Sequence, residues 1–104
     1  GYSKSMFEYW TEDDFASSFR KMLTIEQFRS EEMQKLYQQY LVAGPASYVK
    51  ALFESIGIVN AKDKAARFYA VMHFYYSLYD GAADKEKVKV EFVSAIKSLV
   101  QDLA

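Results

Sequence analysis

The stretch SEEMQKLYQQYLVAGP, Ser30 to Pro45, decides the fold. Met33, Leu36, Tyr37, Tyr40 and Leu41 recur at i, i+3, i+4, i+7 and i+8, which lines one side of an α-helix, whereas a strand would alternate at period two. Ser30 is a side chain that accepts a hydrogen bond from the otherwise unpaired N–H groups of a helix start. Glu31 and Glu32 follow where that end is electropositive. At the other end, Gly44 suits a left-handed ending, and Pro45 suits the first turn of a further helix, whose N–H groups lack partners in any case.

Working toward the C-terminus, Tyr48, Val49, Leu52, Phe53 and Ile56 give the next helix its apolar side, and Gly57 stops it. Asn60 with Asp63 three residues on resembles a capping box opening a long helix over 61–80, ended by Gly81. After Asp84, the residues Val88, Phe92, Ala95, Ile96, Leu99, Val100 and Leu103 form one broad arc of a last helix, 85–103. Toward the N-terminus, Thr11 reads as a cap before Glu12, Asp13 and Asp14. They open a helix from about 12 to 28 with Phe15, Phe19, Met22, Leu23 and Phe28 on its apolar side. Met6, Phe7, Tyr9 and Trp10 read as the end of an earlier helix. Period-two alternation is sustained nowhere, so the expectation is an all-α bundle of about five to six helices.

Length and composition bound what such a bundle does. The 104 residues suit one domain, 1–104. Half the residues are hydrophobic and 17% aromatic, with nine Tyr, eight Phe and one Trp, a composition that folds around a core or lines a cavity with rings. A formal net charge of −1, with Lys and Glu interspersed, offers no basic field for a phosphate backbone. The absence of Cys removes disulfides, thiolate metal sites and Cys nucleophiles, and suits a reducing compartment. No apolar run approaches the ~18–20 residues of a membrane span, so a soluble, cytoplasmic protein is expected. Gly1 reads as a remnant of cloning, and the start without Met as that of a fragment.

Chemistry-bearing patterns are sparse. His73 is the only histidine, so neither a His pair nor a triad can form, and a lone His within an apolar helix suits a packed side chain better than a base or ligand. The Asp13–Asp14 and Glu31–Glu32 pairs suit helix starts rather than a carboxylate dyad, since adjacent helical residues do not face each other. There is no phosphate loop, no GxSxG and no metal spacing, so an enzyme is not expected, nor a cofactor or metal.

Two features go beyond a core. In helix 61–80, Ala66, Ala70, Ser77 and Gly81 fall on one stripe with Phe74 among them, and Phe68, Met72, Tyr75, Tyr76 and Tyr79 on the opposite face. A helix apolar all round needs cover on more than one side, and small residues let another helix approach closely. Either that cover is the last helix of the same chain, or the last two helices of two chains form a four-helix dimer bundle. The second feature is the aromatic and Met inventory of the earlier helices, Trp10, Phe19, Met22, Phe28, Tyr37, Tyr40, Tyr48 and Phe53, which serves either as core or as the lining of a small-molecule pocket.

The run FRKMLTIEQFRSEEMQKLYQQYLVAGPASYVKALF, Phe19 to Phe53, and FYAVMHFYYSLYDGA, Phe68 to Ala82, resemble the C-terminal regulatory domain of TetR/AcrR-family transcriptional repressors. The LTIEQFR stretch, the EMxxLYxxYL helix, the Gly-Pro junction and the SLYDG ending carry the resemblance, which extends from about Trp10 onward. It implies a TetR C-terminal-domain-like, orthogonal-to-antiparallel helical bundle, with a DNA-reading helix-turn-helix unit preceding this segment. It also implies a homodimer and a small apolar or aromatic effector molecule whose binding loosens the grip on DNA. The pocket residues it implies are Trp10, Phe19, Met22, Tyr37, Tyr40, Met72 and Tyr76. The dimer interface it implies is Ala70, Phe74, Ser77, Leu78, Phe92, Ala95, Ile96 and Leu99. No helix-turn-helix pattern exists within the chain, so only sensing and pairing carry over. The alternative is a helical interaction or dimerisation module with a filled core and no small-molecule ligand.

Overall fold

Helical spacing is realised in a computed structural model that describes residues 2–103; Gly1, read above as a cloning remnant, lies outside them. Six helices follow one another among the described residues: α1 (Tyr2–Glu12), α2 (Asp14–Glu26), α3 (Glu31–Leu41), α4 (Ala43–Ser55), α5 (Ala61–Gly81) and α6 (Lys85–Gln101). The described residues contain no strand. Two compact units divide the chain, Gly1–Pro45 and Ala46–Ala104, where the sequence reading of one domain draws no boundary.

In the first unit α1 is a helix in its own right, where the sequence suggests only a helix end. Thr11 belongs to it: its hydroxyl donates to the Phe7 carbonyl at 2.6 Å, and Asp13 instead caps α2, accepting from the Ala16 N–H at 2.8 Å. Both residues are good cap types, but only the second stands outside both helices with the extended backbone a cap requires. Ser30 caps α3 as its sequence suggests, accepting from the Met33 N–H at 3.1 Å. The α2 residues that point inward are Ala16, Ser17, Arg20 and Leu23, while Phe15 and Phe28 are 74% and 84% exposed. The buried arc therefore lies one position round from the most aromatic one. It tolerates Arg20 because the guanidinium Nε donates to the Trp10 carbonyl at 3.0 Å. Leu23, Tyr37 and Leu41 form the core between α2 and α3, with Trp10, Phe19, Met33, Leu36 and Val42 packed against it.

Gly44 corrects the sequence reading. It stands inside α4 with no left-handed backbone; the turn is taken at Val42, with φ −133° and ψ −85°. What requires glycine there is room: a Cβ would run into the Gln39 carbonyl. Pro45 follows in the first turn of α4, where a missing N–H costs nothing.

In the second unit Gly57, at φ +80°, ends α4 as expected. The Ile58 N–H reaches back to the Phe53 carbonyl at 3.0 Å and the Gly57 N–H to that of Glu54 at 3.1 Å, the paired bonds of a Schellman ending. The capping box at Asn60 is not formed. Asn60 precedes α5 in the left-handed region, φ 58° and ψ 43°, and its side chain makes no cap bond, so Asp63 pairs forward with Arg67 at 3.1 Å. Gly81 is the last residue of α5 rather than a left-handed stop. Lys85 closes that end, its ammonium donating to the Tyr79 carbonyl at 2.7 Å. Asp84 caps α6 through the Lys87 N–H at 3.1 Å. The two long helices run back along each other, as the bond from Lys64 near the start of α5 to the Leu103 carbonyl past the end of α6 requires. Tyr75 meets Phe92 edge-on at 5.7 Å between them, and Phe53 of α4 meets Phe68 of α5 edge-on at 5.6 Å. No helix among the described residues is long and apolar enough to cross a membrane.

Candidate functional site

Two regions gather the residues singled out by sequence, one in each unit. In the first unit, Trp10, Phe19 and Tyr37 belong to the same cluster, around Leu23 and Leu41. Tyr37 is buried, whereas Trp10 and Phe19 are half-buried. Met22 and Tyr40 stand at the surface beside them, and the ring of Tyr40 meets that of Phe19 edge-on at 5.5 Å. Trp10 in turn meets Tyr9 edge-on at 5.2 Å. Hydrophobic side chains pack together in the cluster, and the Trp10 carbonyl accepts from Arg20. Arg20 is the residue sequence reading passes over. The signal that would have found it is the arc Ala16, Arg20, Leu23, at i, i+4 and i+7, on which it is the one charged member.

A groove of about 530 Å³ opens at the turn between α2 and α3, along Phe28, Arg29, Ser30, Glu31, Gln34 and Lys35. It takes in one residue of the aromatic inventory, Phe28, and none of the pocket residues the resemblance implies.

Met72 and Tyr76 are buried in the second unit, on the face of α5 that also carries Phe68 and Tyr69. His73 lies beside that face and is half-buried, its ring 6.1 Å from that of Tyr69 and 6.4 Å from that of Tyr76. No group of three or more His, Asp or Glu among the described residues is placed to hold a metal ion.

The outward side of α5 is the second region. Ala66, Ala70, Ser77 and Gly81 are exposed, together with Phe74 at 57% and Leu78 at 40%. Ala95, Ile96 and Leu99 of α6 are half-buried. Phe92 does not belong with them: at 1% exposed and edge-on to Tyr75, it has no surface to offer a second molecule. The cause is periodicity, since Val88 and Phe92, four residues apart, set the inward line of α6 and Phe92 lies at its centre.

Comparison with protein-family models, with curated proteins and with solved structures returns no match for this chain.

Proposed function

We propose that this chain is a self-associating regulatory domain: a dimerisation and effector-sensing part of a transcriptional regulator of the TetR kind, acting on DNA through a separate helix-turn-helix unit. The observation that carries the proposal is the outward side of α5. A 21-residue helix that buries Phe68, Tyr69, Met72 and Tyr76 on one face leaves Phe74 and Leu78 exposed on the other, beside small side chains that admit a close neighbour. A two-fold pairing covers the same patch on both copies at once.

Sedimentation tests it. The chain is expected to be dimeric at tens of micromolar, and Ser77→Arg to be monomeric yet helical, because it inserts an unpaired charge where backbones meet. Tyr37→Ala, in the other unit, is expected to leave the dimer intact. A monomeric wild type sinks the proposal.

The sensing half is supported by the gathering of Trp10, Phe19 and Tyr37 in one cluster, and the filled-core module by the Leu23 and Leu41 side chains packed among them. Melting in the presence of indole and of naphthalene separates the two. A sensor gains stability with rising probe concentration, while a filled core gains none.

A further inference from the structure

We draw no further inference here: the strongest candidate, the apolar surface patch that exposed Phe15, Met22 and Tyr40 form around the half-buried Phe19 on α2 and α3, carries nothing because nothing in the structure shows what covers it.

Discussion

Gly44 and Gly57 are two glycines required for different reasons, and substitution separates them. At Gly57 the backbone is left-handed, and the position is open, with nothing within reach of an added Cβ. Gly57→Ala should therefore cost about 1 kcal/mol through backbone strain, and Gly57→Asn less, because Asn tolerates that conformation. At Gly44 the backbone is ordinary and the obstacle is the Gln39 carbonyl, so Ala and Asn should both cost about 1–3 kcal/mol by overpacking. Urea denaturation of the four variants is the check; an Asn that rescues position 44 would mean that its backbone, not its space, requires glycine. Arg20 offers a second residue-level test. It is 5% exposed with its Nε on the Trp10 carbonyl at 3.0 Å, so Arg20→Met keeps the stem but strips a charge-assisted bond from a part-buried acceptor. A loss of about 2 kcal/mol is expected in the same assay, and a neutral result would make Arg20 a packing residue only.

At the scale of the element, caps decide where helices begin, and their legibility followed from how many residues competed for each. Ser30 stands alone ahead of a helix and accepts the expected backbone N–H, and Asp84, which the sequence reading places only as the residue before the last helix, accepts one in the same way. Thr11 and Asp13 are both good caps two residues apart, and sequence alone does not say that α1 runs on through Thr11 to Glu12. Asn60 matched a capping box, but its left-handed backbone turns the side chain away from the bond that motif needs. Ser30→Ala should then cost about 1 kcal/mol, while Asn60→Gly should be neutral or slightly stabilising, since the side chain contributes no cap bond and glycine suits that backbone. Thermal melting of the pair tests this, and equal losses would point to an unseen cap at Asn60. The same competition hid the inward faces. Along α5 the small stripe separates outside from inside cleanly, and Phe68, Met72 and Tyr76 are buried as their spacing suggests. Along α2, Phe15, Phe19 and Met22 outweigh Ala16 and Arg20 in any hydrophobic count, yet the latter turn inward. Arg20 donates to a backbone carbonyl ten residues away, a partner that a hydrophobic count does not register.

For the molecule as a whole, what the chain should fail to do follows from its charge. A protein that holds duplex DNA gains most of its non-specific affinity by neutralising phosphates with clustered Lys and Arg. Here thirteen Lys and Arg are set against fourteen Asp and Glu, and the exposed cations are in part committed: Arg29 to Glu26 at 3.6 Å, Arg67 to Asp63 at 3.1 Å, Lys85 to carbonyls at the end of α5. The expectation is no retardation of duplex DNA by this polypeptide at about 0.15 M salt. Sequence-specific retardation under those conditions would mean that a recognition surface lies within these helices. It would also mean that a separate DNA-reading unit is not needed.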